Sequence, residues 1–187
     1  ILVCLVGSEM CIRDSATLDG LRPWLWVDTA GCGFEERRSE EGGSVSNRDE
    51  AAFALDRAAE WLQQHPAMTL GIVAPYAAQV ELLRDLWHQR VVAGEIPAQA
   101  KVTIHTVDGF QGQERDGMIV SMTRSNDCGE VGFLQESRRI HVAQTRAKHA
   151  CMLVGDSATL SSDSYLGWLL EHAQEMEAYD SAWSWMC

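Results

Sequence analysis

The sequence predicts an α/β domain, a mainly parallel sheet with helices on both faces, and three observations carry that prediction. Apolar runs of strand length alternate with amphipathic runs of helix length through most of the 187 residues. Leu70-Gly71-Ile72-Val73-Ala74 is a compact apolar run, the pattern of a strand buried on both faces. The runs are spaced so that successive strands need crossover connections, which return the chain in the same direction.

Ile1 to Val6 is apolar but too short for a membrane span, and it lacks the basic leader and longer core of a signal peptide. The chain opens without methionine. Residues 1 to 15 are expected to be a non-native or disordered leader, leaving one domain over residues 16 to 187; an edge strand at Ile1 to Val6 is the alternative reading. Leu25 to Asp28 reads as a short strand, and Thr29 to Gly33 as a glycine-punctuated turn. Glu35 to Asn47 is polar and acidic, as a solvated loop requires. Asn47 is placed to cap a helix, because Asp49 and Glu50 suit a first turn and apolar residues then recur at helical spacing to about Gln64.

Pro66 breaks that helix, Leu70 to Ala74 forms a strand, and Pro75 ends it. Val80, Leu82, Leu83 and Leu86 mark a helix from Ala77 to about Arg90. Val102 to His105, Met118 to Met122 and Ala150 to Gly155 are further strands, with a helix from Ser137 to Lys148 between the last two. Seven tryptophans invite a base-stacking role, but Trp61, Trp87 and Trp168 fall within amphipathic helices and Trp183 and Trp185 can pack back as a cap, so core and seam packing is the stronger expectation. Open α/β sheets bind ligands beyond the carboxyl ends of their strands, which points to the loops after Ala74 and His105.

Composition limits the function. A net charge of -12 disfavours a free-standing nucleic-acid binder, so any such contact must be local or shared. Six cysteines are scattered without a C-x-x-C pair or a histidine-rich neighbourhood, which indicates neither a zinc site nor a disulfide framework and suits reduced thiols in the cytoplasm. A self-sufficient nucleotide hydrolase needs a glycine-rich loop ending in Lys-Ser or Lys-Thr, whose amides and ammonium hold the phosphates. The only lysines, Lys101 and Lys148, have no such glycines before them.

The complement of that machinery is present. Val102-Thr103-Ile104-His105-Thr106-Val107-Asp108-Gly109-Phe110-Gln111-Gly112-Gln113-Glu114 runs from a strand into a glycine-containing loop that ends on a carboxylate. Arg138-Arg139-Ile140-His141-Val142-Ala143-Gln144-Thr145-Arg146-Ala147-Lys148 follows. These blocks resemble motifs V and VI of superfamily 1 helicases. Val27 to Gly31, Ser46 to Ala51, and Gly71 to Tyr76 with Gln79 add matches in the family's order. Over about residues 24 to 187 the chain resembles the second RecA-like domain of the superfamily 1B group, which includes the nonsense-mediated-decay helicase and the immunoglobulin-mu-binding-protein-type helicases.

The resemblance implies a RecA-like fold without its own P-loop, working across a cleft from a first domain that holds ATP and its Mg2+. It implies that Arg146 is the arginine finger, that Glu114 receives the ATP ribose hydroxyls, and that Gln111, Gly112 and Arg139 belong to the same nucleotide contact. Arg48 aligns with a motif IV arginine that meets the γ-phosphate in some relatives; a solvent-facing arginine at a helix start is the alternative. Single-stranded DNA or RNA is expected on the opposite edge, touching Thr106, Tyr76 and Asn126. Each of these residues also has a plain structural reading, as surface arginine, surface glutamate, strand-end hydroxyl or packed tyrosine. The intact protein would then be an ATP-dependent helicase of which this part alone is inactive. A non-catalytic helicase-like module that binds nucleic acid or protein is the alternative. A dinucleotide-binding enzyme is disfavoured because Gly31-Cys32-Gly33 lacks the third glycine of the fingerprint.

Overall fold

The computed structural model describes residues 18–39, 43–110 and 112–186; the expected leader and Gln111 lie outside the described residues. Strand β1 (Trp24–Asp28) is followed by a two-stranded ribbon, β2 (Glu36–Arg38) and β3 (Val45–Asn47), and by helix α1 (Arg48–Gln64). Then come β4 (Thr69–Ala74), α2 (Ala77–Val92), β5 (Lys101–Thr106) and β6 (Arg115–Ser121). The remainder is α3 (Ser137–Gln144), β7 (Ala147–Gly155), α4 (Ser157–Leu160), α5 (Ser164–Glu175) and β8 (Tyr179–Ser181).

Six strands form one sheet in the order β5-β4-β6-β7-β1-β8, and every neighbouring pair is parallel. This is the α/β architecture expected from the alternating pattern. Strand β7 explains why both faces are dry. Ala150, Met152 and Val154 join one buried cluster with Phe53, Leu55 and Leu83 from α1 and α2, while Cys151 and Leu153 join another with Ile140, Leu166 and Leu169 from α3 and α5. Period-two alternation therefore sends consecutive side chains into two cores.

Helix α1 begins as its sequence requires: the Asn47 side chain accepts the Glu50 amide at 3.0 Å. Most of the tryptophans serve as packing groups, but Trp183, expected to pack back as a cap, is 54% exposed. Trp26 and Trp61 are buried, and Trp87 and Trp168 pack against the two cores. Trp185 returns against the first core beneath the Arg57 guanidinium, 4.8 Å from its ring centroid.

Two expectations are corrected. Glu35 to Asn47 is not a plain solvated loop, because Glu36 to Arg38 pairs antiparallel with Val45 to Asn47. The ribbon is held from outside itself: Glu36 receives both Arg124 Nε, at 2.8 Å, and Arg124 Nη2, at 3.2 Å. The helix expected to reach Lys148 stops at Gln144. Residues from Ala147 onward are claimed by sheet pairing, with Arg115 opposite Ala147 and the Arg115 amide donating to the Arg146 carbonyl at 3.0 Å. Arg146 thus sits in a turn and does not share a helical face with Arg139.

Candidate functional site

Strand direction sorts the candidate residues onto two edges. Arg146 immediately precedes β7 and Glu114 immediately precedes β6, so both lie at the amino ends of adjacent strands. Gly112, at φ +80°, bends the loop that leads to Glu114. Arg146 is half-buried, and among the described residues its side chain makes only two long hydrogen bonds, to Val142 O and Thr145 Oγ1, each at 3.4 Å. It has no ion pair among the described residues. Glu114 is exposed and lies 3.9 Å from Lys148 Nζ. A guanidinium with weak internal bonds, on the same edge as an exposed carboxylate, is chemically available to an anion carrying hydroxyl groups.

Arg48 and Arg139 lie elsewhere. The backbone N–H of Asn47, just before Arg48, donates to Gln79 Oε1 at 2.7 Å at the start of α2, and Glu50 reaches Ser121 and Thr123 at the end of β6. Arg48 is therefore beyond the carboxyl ends of the strands. The seven residues of β6 separate the two edges by about 20 Å at the usual strand rise. Arg48 and Arg146 thus stand at opposite ends of the strands, whereas the resemblance implies one shared γ-phosphate. Arg139 is likewise on the carboxyl side, paired with Asp108 at 3.2 Å and Glu136 at 2.9 Å, and donating to Phe133 O at 3.1 Å.

Thr106, Tyr76 and Asn126 all fall on the carboxyl edge, as expected for one shared surface, but with unequal access. Thr106 is half-buried at the end of β5, its hydroxyl accepting the Gly109 amide at 3.2 Å. The Asn126 side chain is fully used: Oδ1 accepts from the Cys128 and Glu130 amides, and Nδ2 donates to Glu36 and to the Glu130 carbonyl. Tyr76 is 3% exposed, and its hydroxyl accepts from Arg124 Nη1 at 3.0 Å and from the Phe133 amide at 3.2 Å. It supports the surface from below, since Phe133 stacks over it at 5.1 Å between ring centroids.

Sequence reasoning missed the polar core beneath this edge. Glu50 is fully buried, and its Oε1 accepts Ser121 Oγ at 2.5 Å and the Thr123 amide at 2.7 Å. Gln79, also fully buried, donates to Ser121 Oγ at 2.8 Å and Asn47 O at 3.0 Å. Burial pushes the Glu50 carboxyl up to about 8, against the two hydrogen bonds and with help from the charges of Asp156 and Glu36. Its Oε2 has no partner among the described residues, which suits a neutral acid. Arg124 behaves oppositely. Burial works against its charge, yet hydrogen bonds to Glu36 and Tyr76 hold its pKa above the ordinary value. A glutamate at a helix start and an arginine after a strand carry no sequence signal for such burial; only the matching of Gln79 to its motif hinted at it.

A cleft of about 810 Å³ lies on the carboxyl side among Thr29, Glu35, Glu36, Asn126, Asp127 and Asp156. Its carboxylates repel phosphate, so it is no rival for the nucleotide contact. Among the described residues no group of three histidine, cysteine or carboxylate side chains is placed to hold a metal ion, and no helix is long and apolar enough to cross a membrane. Cys32, Cys128 and Cys151 are free thiols.

Comparison with known proteins adds lineage to this geometry. Residues 7–158 match the family model described as AAA domain. DNA-binding protein SMUBP-2 of Rattus norvegicus is 36% identical over 154 residues, which cover 82% of this chain and 15% of that protein. DNA polymerase alpha-associated DNA helicase A of Saccharomyces cerevisiae is 38% identical over 141 residues, 74% of this chain and 20% of that one. Helicase sen1 of Schizosaccharomyces pombe is 31% identical over 150 residues, 78% and 9% respectively. The chain thus spans a fifth or less of the length of these relatives. The crystal structure of the C-terminal domain of a possible DNA helicase from Lactobacillus plantarum WCFS1 superposes with TM-score 0.51 at 14% identity, covering 95% of this chain and 94% of that one, a likeness of fold.

Proposed function

The chain belongs to the AAA-domain family of these helicase relatives, and from that premise we propose that it is the C-terminal RecA-like domain of an ATP-dependent superfamily 1 helicase. The observation that carries the reading is that a weakly held arginine, Arg146, and an exposed carboxylate, Glu114, stand at the amino ends of the adjacent strands β7 and β6. In the intact protein this edge closes over a nucleotide held by the preceding domain. Bound ATP with Mg2+ supplies the phosphoanhydride whose cleavage drives the cycle, and the metal ligands belong to that other domain. Arg146 reaches the γ-phosphate and stabilises charge that develops on its oxygens, an effect worth about 10³ to 10⁵ in rate for such arginines. Glu114 accepts the ribose hydroxyls, and the bend at Gly112 lets the backbone approach. The motif resemblance assigns Gln111 to the same nucleotide contact.

Arg48 and Arg139 do not share in the nucleotide contact, because they lie on the other edge. That edge takes single-stranded DNA or RNA, with Thr106 at its rim. Closing and reopening of the cleft then alternates the grip on the strand and converts hydrolysis into translocation and unwinding in the reducing cytoplasm. This chain by itself is inactive, since it has no phosphate cradle.

The test compares two arginines in the intact protein. Arg146→Ala is expected to remove hydrolysis by about 10³-fold or more while leaving nucleotide binding largely intact, and Arg48→Ala to leave hydrolysis within a few-fold. Unchanged turnover in Arg146→Ala refutes the finger. An equal loss in both variants refutes the assignment of the two edges.

A further inference from the structure

An aromatic ring is held in solvent on the carboxyl edge, and the chain is built to keep it there. Phe133 is 54% exposed, whereas most large apolar residues of this domain are buried. Its backbone is fixed on both sides: the amide donates to Tyr76 Oη, and the carbonyl accepts Arg139 Nη1. Gly132, directly before it, takes φ +56°, and a Cβ there would collide with Arg124 Nη1 and Tyr76 Oη. The ring lies nearly parallel to Tyr76, with an interplanar angle of 28°, and the Arg139 guanidinium sits 5.7 Å from its centroid.

A preorganised exposed aromatic flanked by a cation is the construction that binds the face of a base. Stacking is sequence-tolerant because every base offers a π-face. The surroundings favour stacking over charge: Asp108 and Glu136 neutralise Arg139, and only Arg138 of the adjoining hollow of about 200 Å³ adds an exposed cation. Thr106, two residues before Asp108, lies on the same edge.

We propose that Phe133 is a stacking platform for an unpaired base of single-stranded nucleic acid lying along the carboxyl edge, with Arg138 contacting the adjacent phosphate. The assignment rests on the nucleic-acid reading of that edge and adds its principal contact. Tyr76 and Arg124 are positioning residues: they hold Phe133 outward and do not touch the strand.

The test uses the intact protein without nucleotide, binding fluorescein-labelled oligo(dT), oligo(rU) and a strand of abasic sites. Phe133→Ala is expected to weaken binding of the base-bearing strands by about tenfold, as base–aromatic stacks typically do, and Phe133→Trp to retain it. Against the abasic strand, wild type and Phe133→Ala should bind equally, and the salt dependence should be unaltered in Phe133→Ala. Equal affinity of wild type and Phe133→Ala for oligo(dT) and oligo(rU) overturns the platform while leaving the nucleic-acid edge standing. A loss that is the same with the abasic strand, or that Phe133→Trp fails to rescue, also overturns it, making Phe133 a contact to another part of the protein. Failure of wild type to bind any strand refutes both the edge and the platform.

Discussion

Replacing Glu50 by glutamine should remove a pH dependence of folding that the wild-type chain carries. The Glu50 carboxyl is fully buried and pushed from its ordinary 4.5 up to about 8, while in the unfolded chain it returns to the ordinary value. Between those values the folded state binds a proton that the unfolded state does not. Stability is therefore greatest below the unfolded pKa and falls as pH rises through the folded one. Each pH unit in that window weakens folding by about 1.4 kcal/mol, a total of about 5 kcal/mol across it. Glutamine keeps an oxygen for Ser121 Oγ and the Thr123 amide but has no proton to lose. Urea unfolding at pH 5, 6, 7, 8 and 9 (about one-unit steps), followed by tryptophan fluorescence, measures both chains. The wild-type minus Glu50→Gln difference should move against the wild type as pH rises to about 8 and then level off. Subtraction removes contributions from histidines and thiols common to both. A difference that stays flat between pH about 5 and about 8 would show that Glu50 is folded in its charged form, and the account of its unpartnered oxygen would fail with it.

Gly132→Ala should destabilise the chain by about 1 to 3 kcal/mol, because φ +56° and the collision with Arg124 and Tyr76 act together; a thermal melt unchanged from wild type would refute the pinned backbone. Burial alone pushes the Cys151 thiol up to about 12, whereas Cys128 is exposed. Alkylation at neutral pH, read peptide by peptide by mass spectrometry, should modify Cys128 in the folded protein and reach Cys151 only after denaturation. Modification of Cys151 at the rate of Cys128 would place that strand nearer solvent than described.

The features legible in the sequence are those that local chemistry decides. Asn47 announces the start of α1 because a capping amide bond needs only neighbours, and Leu70 to Ala74 announces a two-faced strand because every position is apolar. The end of α3 was not legible. Residues 142 to 148 suit a helix as well as what they adopt, and pairing with β6, more than twenty positions earlier, decides the matter. Strands β2 and β3 were hidden for a related reason: Glu-Arg-Arg and Val-Ser-Asn are too short and too polar to show an apolar alternation, and Arg124 holds β2 through Glu36 from a distant loop. The candidate site divides similarly. Motif spacing selected Glu114, Arg146 and Thr106, but only strand direction reveals that Arg48 and Arg139 face the other way. Tyr76, named as a strand contact, is buried beneath Phe133, because sequence names an aromatic residue near an edge without stating whether another covers it.

The strand order has a consequence for how the chain is made. Strand β1 has β7 and β8 as its sheet neighbours, so Trp24 to Asp28 must wait for residues 147–155 and 179–181. Asp28 and Ala147 are 119 positions apart (147 minus 28), and at about 5 to 20 residues per second a ribosome needs on the order of 10 s to cover that distance. During this interval a five-residue, tryptophan-bearing segment has both flanks unoccupied. Ribosome-bound chains stalled before Ala147 should therefore recruit holdase chaperones through residues 24–28, and chains stalled well beyond Ser181 should release them.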